Sequence, residues 1–484
     1  MWCVLVLAVI SVWGAKQSTD SSIYSLRKTW QICGSRPSHY SGVNDLACSK
    51  RFANTFDRAW TCRTRYSQVP QGYLPSTAAA SRVSIDRTAL KFVDPSVDVT
   101  VVHVIRDARG VPHYKYFSNQ PKTRTWYPWS SVKYLAVSAA AQVLQRACGS
   151  VSLSELKEAN TGIPLSDLAT VITTYQQARF SSNSLAAYFK SIAGVDEMNK
   201  ILKEKLGLPE ESFENNWGGT IPSELGFTFV KPDGTSCSVP NRWKAAGDSA
   251  ISGLALNELF RRIVHHNDIP ESHRLQIGSS TVADLLFGAP ASESKLFPKL
   301  QYGGLSHDTS IFIQQGLESA GLSPATMDSI SAGEWRIFAK YGFGTSETRG
   351  TTEMVIPGYA CVPYIDNRGN SIPNKGLEFF VTVYQSAKQS PTTVDSIQSQ
   401  VFRSVIQWIS QLETVGPSRT AGPAPGPAPE PSSSAPSGTT WGRPRADSRC
   451  GAAYGNAGCL RGHCCSKFSW CGTSDDHCAS GIQF

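Results

Sequence analysis

Long apolar runs are scarce in this chain. The only continuous one, Trp2–Trp13, covers about 12 residues, too short to cross a bilayer as a helix. A helical membrane protein is thereby excluded. Runs of Lys and Arg that could track phosphates are missing, and the formal net charge is only +8 over 484 residues. Nucleic acid is not an expected partner. No Asn-x-Ser/Thr sequon occurs, so N-glycans are not expected. A Gly-x-Ser-x-Gly elbow and a phosphate-binding loop are also missing, and no cofactor or metal is called for. What is present is a composition 40% hydrophobic and 10% aromatic, enough to bury a large core.

The first residues, MWCVLVLAVISVWGA, read as a secretory signal peptide, residues 1–15: an apolar stretch closed by the small residues Gly14 and Ala15. Setting Cys3 aside leaves an even number of the 13 cysteines, and six of these fall within Cys450–Cys478. The other six, Cys33, Cys48, Cys62, Cys148, Cys237 and Cys361, are too dispersed for a zinc cluster and allow about 15 pairings. An oxidising destination, secreted, extracellular or wall-associated, fits this usage.

The sharpest boundary is the segment 416–449. It holds eight prolines and almost no large apolar residues. It reads as an extended tether, reaching roughly 100 Å if wholly polyproline-like. The expected organisation is then a leader (1–15), a cysteine-containing extension (16–95), a large domain (96–415), the linker (416–449) and a small tail (450–484). Within the large domain, Val99–Phe117 reads as a hairpin turning at Asp107–Gly110. Ser130–Ala147, Leu165–Ala178, Ser184–Ile192 and Ala250–His265 read as helices. Met354–Ile356, Tyr359–Tyr364 and Leu377–Tyr384 read as strands, with Asn367-Arg-Gly as a turn. In Val394–Leu412 the residues Val394, Ile397, Val401, Val405, Trp408 and Leu412 mark an amphipathic helix laid on a sheet. The order predicts an α+β, αβα sandwich: an antiparallel sheet flanked by helices.

The tail reads Cys450-x8-Cys459-x4-Cys464-Cys465-x5-Cys471-x6-Cys478. Thirty-odd residues cannot build a sufficient core, so staples must hold the fold. This spacing, with CGAAYGNAG before the Cys-Cys pair and CCSKFSWCGTSDDHC through it, resembles the hevein-like chitin-binding module. The resemblance implies a small disulfide-stapled domain with bridges Cys450–Cys465, Cys459–Cys471 and Cys464–Cys478. It also implies a sugar site at Ser466, Phe468, Trp470 and His477, although a tyrosine is commoner than His477. Its partner would be chitin or another N-acetylglucosamine-containing polymer. The chemistry is coherent: flat rings stack on the C–H faces of the sugar while the hydroxyl bonds the acetamide.

Four Ser-x-x-Lys sets occur, so that pattern alone says little. Only Ser130/Lys133 opens an apolar helix directly after a hairpin, where the helix N-terminus favours negative charge. There the two residues lie one turn apart on one face, and a desolvated lysine can act as base toward the hydroxyl. Downstream come Ser181-Ser182-Asn183 and Lys340-Tyr341-Gly342. The ordered set Ser-x-x-Lys, Ser-x-Asn, Lys-x-Gly resembles the penicillin-recognising serine hydrolases, the serine β-lactamases and D,D-peptidases. The resemblance covers Val99 to Leu412 and implies a β-lactamase-like fold. By it Ser130 would be nucleophile, Lys133 its base, Ser181 a proton relay, Asn183 a substrate amide contact and Lys340 an electrostatic anchor. The N–H groups of Ser130 and Phe343 would form the oxyanion hole, and Arg349 sits where some members hold a substrate carboxylate.

The chain departs from that pattern at Tyr341, where Thr or Ser is preferred, and in lacking a Glu-x-x-Leu-Asn between residues 184 and 339. Two readings follow: a serine acyl hydrolase for a peptide, ester or lactam, concentrated on a polymer by its module, or a wall lectin with an inactive hydrolase-like domain. His265-His266 and Glu210-Glu211 are expected to be solvated.

Overall fold

Five strands make the frame of the large unit. They are Val97–Arg106 (β1), Pro112–Ser118 (β2), Gly342–Ser346 (β4), Thr351–Ile365 (β5) and Ser371–Ala387 (β6), with Arg336–Ala339 (β3) sharing the outer edge of β5 with β4. The computed structural model describes residues 60–75, 80–174, 179–245, 247, 249–288, 293–297, 304–306, 311–346, 349–388 and 391–414, and two short strands of the tail. Strand order is β2-β1-β6-β5-β3, antiparallel throughout, with β4 also on β5.

Both faces are covered, which is why β1 is buried along its whole length. Against one face, Val102, Val104, Tyr359 and Phe380 pack with Lys133–Cys148 (α1), Leu165–Thr174 (α2), Ser182–Ala193 (α3) and Gly253–Val264 (α4). Against the other, Val99, Val101, Ile356 and Val381 pack with Ile311–Ser319 (α5) and Pro391–Thr414 (α6). The fold is an αβα sandwich on an antiparallel sheet, as the element order implies.

Several expectations shift. The two short strands read around Met354 and Tyr359 are one, because Pro357 sits where the outer partner of β5 changes from β3 to β4. Its carbonyl accepts Lys340 N at 3.0 Å, so its missing donor faces that break and interrupts no ladder. The buried stripe of α6 is Val394, Phe402, Val405, Ile406 and Ile409, while Ile397, Val401, Trp408 and Leu412 flank it half-buried. Residues from Trp60 onward, set aside as an extension, are stitched into the large unit. Cys62 is bridged to Cys361 on β5, and Leu74–Pro75 pairs with β2. A second bridge joins Cys148, the end of α1, to Cys237. Cys33 and Cys48 lie outside the described residues.

The expectation of solvated His265 and Glu211 is overturned; Glu210 is exposed as expected. His265 is buried, with Nε2 2.7 Å from Glu378 Oε1 and Nδ1 2.8 Å from the Tyr114 hydroxyl. His266 is buried too. Adjacent positions at the last turn of α4 point apart, but here both directions lead into protein. Glu211 accepts from Ser252 N at 2.9 Å and Ser252 Oγ at 2.5 Å, fixing the residue whose hydroxyl caps α4. In the second unit, residues 419–484, Cys464–Cys465 pairs antiparallel with Cys471–Gly472, with Cys465 opposite Cys471. No helix among the described residues is long and apolar enough to cross a membrane.

Candidate functional site

Chain geometry at the start of α1 is unusual. Trp129 has φ +49°, a left-handed conformation that costs a bulky residue on the order of 1–3 kcal/mol. It opens a 3-10 turn, Trp129–Val132, that delivers Ser130 half-buried and Ser131 fully buried before α1 begins at Lys133. The sequence reading of one helix from Ser130 misses this turn. Such strain persists only where the surroundings over-determine it, and three contacts do so. The Trp129 indole donates to Glu353 Oε2 at 2.8 Å, and the Trp129 carbonyl accepts the Trp217 indole N–H at 2.9 Å. The Trp129 ring also lies on Gly344, where any Cβ would overlap it.

Gly342 serves the same closeness. A Cβ at this position would stand 2.7 Å from Ser131 N and 2.9 Å from the Pro128 carbonyl, backbone atoms that cannot yield. The glycine of Lys340-Tyr341-Gly342 thus lets β4 lie directly against the turn carrying Ser130. Two residues earlier, Lys340 is fully buried and donates to the Tyr341 carbonyl at 3.0 Å. Tyr341 and Phe343 alternate to the opposite face, where they pack with the α5/α6 core and with each other, rings 6.1 Å apart. The Tyr341 ring therefore does not crowd the serine.

Lys133 is fully buried, and its Nζ donates to Ser182 Oγ at 3.0 Å and to Asn183 Oδ1 at 2.5 Å. The start of α3 is thereby joined to the start of α1. Ser181 is exposed and acts as N-cap of α3, accepting from Ser184 N at 3.1 Å and donating to Ser184 Oγ at 2.8 Å. Ser182, not singled out from the sequence, bonds Lys133 and donates to the Ile172 carbonyl at 3.2 Å. Only its place inside the Ser-x-Asn triplet hinted at it. Arg349 forms a two-pronged pair with Glu353, 2.7 and 2.9 Å. Burial raises the Glu353 carboxyl, but the bonds from Arg349 and Trp129 outweigh it and hold the group below its ordinary range.

The arrangement offers a half-buried hydroxyl, a buried amine one turn along, a second buried amine in the break between β3 and β4, and the edge strand β4 alongside. That set suits attack by a hydroxyl on an acyl carbon, with fixed donors for the charge that develops. Among the described residues no group of His, Cys, Asp and Glu is placed to hold a metal. A separate cavity of about 380 Å³, bordered by Gly194, Glu197, Arg242 and Trp243, lies at the far end of α3 from this site.

Residues 449–483 match the family model of the chitin recognition protein. Antimicrobial peptide 1 of Fagopyrum esculentum is 46% identical over 35 residues, 7% of this chain and 88% of that peptide. Through this segment the chain belongs to the chitin-recognition family. The endochitinase of Solanum tuberosum is 53% identical over 32 residues, but these are 7% of this chain and 10% of that enzyme, so the match stops at the module. Ser466, Phe468, Trp470, His477 and the three bridges expected of the module lie outside the described residues. For the large unit, the TLA-1 extended-spectrum β-lactamase is similar at a TM-score of 0.37 and 11% identity, over 67% of this chain and 97% of that one. The fold assignment rests on this chain's own strand order and layers.

Proposed function

We propose that the protein is a secreted serine acyl hydrolase that the chitin-recognition module holds on an N-acetylglucosamine polymer. The reading is supported by the buried Lys133, which joins Ser182 and Asn183 at the start of α3 to the turn that carries Ser130 just after the strained Trp129. In the proposed reaction the neutral Lys133 amine takes the proton of Ser130 Oγ as that oxygen bonds to the acyl carbon of an ester or amide. The carbonyl oxygen becomes an oxyanion facing the N–H groups of Ser130 and Phe343. When it collapses, the bond to the leaving group breaks, and the proton returns to that group through the hydroxyls of Ser181 or Ser182. Water then releases the acid by the same steps reversed. Lys340 supplies positive charge nearby throughout, and Asn183 both receives Lys133 and offers its amide to the substrate. Two disulfides in the large unit accord with an oxidising destination. The tether raises the local concentration of the hydrolase at the polymer surface.

Two measurements on the full chain test this. Intact mass after treatment with a fluorophosphonate should rise by one adduct, absent in Ser130→Ala and lost or greatly slowed in Lys133→Ala. No adduct, with a reactive control protein labelled, would leave a wall lectin with a non-catalytic large domain. Retention on chitin beads should fall in Phe468→Ala/Trp470→Ala by about 1–3 kcal/mol, the scale of one large apolar side chain. Unchanged retention would remove those rings from the sugar site.

A further inference from the structure

A hydrolase that selects an acyl group bearing a carboxylate needs a cation with free donors at the site's rim, and a guanidinium fork is the best match. Among the described residues, four cations on the elements that meet at this site all have partners. Lys133 and Lys340 are fully buried and donate to Ser182, Asn183 and the Tyr341 carbonyl. Arg179, near the start of α3, pairs with Glu224 at 3.0 Å. Arg349, in the connection from β4 to β5, is half exposed, but its Nε and Nη2 both donate to Glu353, so its charge is neutralised by a carboxylate of the protein.

That carboxylate is not an ordinary surface partner that a substrate could displace. The Glu353 side chain is fully buried and also accepts from the Trp129 indole at 2.8 Å, Thr351 Oγ1 at 3.1 Å and Ser386 Oγ at 3.2 Å. Pulling Arg349 away would strand a buried charge, a loss that removal of one partner commonly makes large. The indole of Trp129, the residue before Ser130, bonds this neutral pair through Glu353 and lies on Gly344, and Tyr127 meets it edge-on with ring centres 4.9 Å apart.

We infer that the Arg349–Glu353 pair and the Trp129 indole make the rim of the Ser130 site electroneutral and apolar, selecting uncharged acyl groups and rejecting those that carry a carboxylate. The inference rests on the acyl-hydrolase reading. Arg349, taken by sequence resemblance as a carboxylate holder, here belongs to the protein's own Glu353.

The test uses the full chain and two esters of equal acyl length: p-nitrophenyl hexanoate, uncharged, and the mono-p-nitrophenyl ester of adipic acid. Acylation is followed by p-nitrophenolate release and intact mass, with the Ser130→Ala background subtracted. The uncharged ester should react at least about tenfold faster. Glu353→Gln frees the guanidinium and should shrink that ratio, whereas Arg349→Leu leaves the carboxylate alone at the rim and should widen it. Equal or faster reaction of the adipyl ester, or a ratio unmoved in both variants, overturns the inference while the hydrolase reading stands. If neither ester adds mass to Ser130, the hydrolase reading falls and takes the inference with it.

Discussion

Replacing Arg106 by Met probes the most heavily charged part of the core. Glu378 on β6 is fully buried and accepts five bonds: from Arg106 Nε at 2.8 Å and Nη2 at 2.9 Å, from His265 at 2.7 Å, from Tyr359 at 2.9 Å and from Thr64 at 2.9 Å. Burial alone would raise this carboxyl, but Arg106 and His265 hold it far below the usual carboxylate range. Burial, with the neighbouring Arg106, keeps His265 below its ordinary value although Glu378 pulls the other way. Wild-type His265 is thus neutral when folded and charged when unfolded in mild acid. Its depressed value makes stability fall as pH drops below about 6.5, by up to about 1.4 kcal/mol per pH unit.

Arg106→Met keeps an unbranched apolar stem but leaves Glu378 as a buried charge with only neutral donors, and it also unpairs Asp268, which lies 2.9 Å from Arg106. Breaking such a pair should cost about 3–5 kcal/mol near pH 8. His265 can then take up a proton beside Glu378, so its folded value rises above the unfolded one. That contribution is fully present below the unfolded value and is lost as pH rises through the folded one. The deficit of the variant should therefore be clearly smaller at pH 5.5 than at pH 8. Urea unfolding of the full chain, followed by near-UV circular dichroism at both pH values, measures it. A deficit independent of pH, or one under about 1 kcal/mol, would refute the argument that Glu378 is held by Arg106 in a water-free setting.

Glu211, pushed up to about 7 by burial, binds its proton more tightly folded than unfolded, so its contribution is present below about 4.5 and lost as pH rises through 7; Glu211→Gln should flatten the stability–pH curve across that window. Gly342→Ala should destabilise by about 1–3 kcal/mol and suppress any labelling of Ser130, because the added methyl meets the backbone of Pro128 and Ser131; a variant of wild-type melting temperature would contradict this. Non-reducing peptide mapping should recover Cys62–Cys361 and Cys148–Cys237. Cys148→Ser/Cys237→Ser should lower stability by about 2–5 kcal/mol in a thermal melt.

The residues alone determined the chemistry of local segments. Period-two and period-four apolar patterns marked β1, β2, α1 and α6, because each buries a face whose repeat is set by backbone geometry. Cysteine spacing marked the tail, since a domain with too little core must advertise its staples. Ser130, Lys133, Asn183 and Lys340 were legible as an ordered set of motifs. Their relation was not, since it depends on strands and helices hundreds of residues apart coming together. Only the tertiary structure decided that Lys133 reaches Ser182 and Asn183, that Gly342 lets β4 touch the Ser130 turn, and that Tyr341 faces away from it. It also decided the fate of the charges. His265, Glu211 and Arg349 carry the polar signature of surface residues, and nothing in their neighbours along the chain distinguishes solvent from a buried partner. That distinction lies in Glu378, Ser252 and Glu353, and in the energy of a charge removed from water, which depends on what meets it across the fold rather than along the sequence.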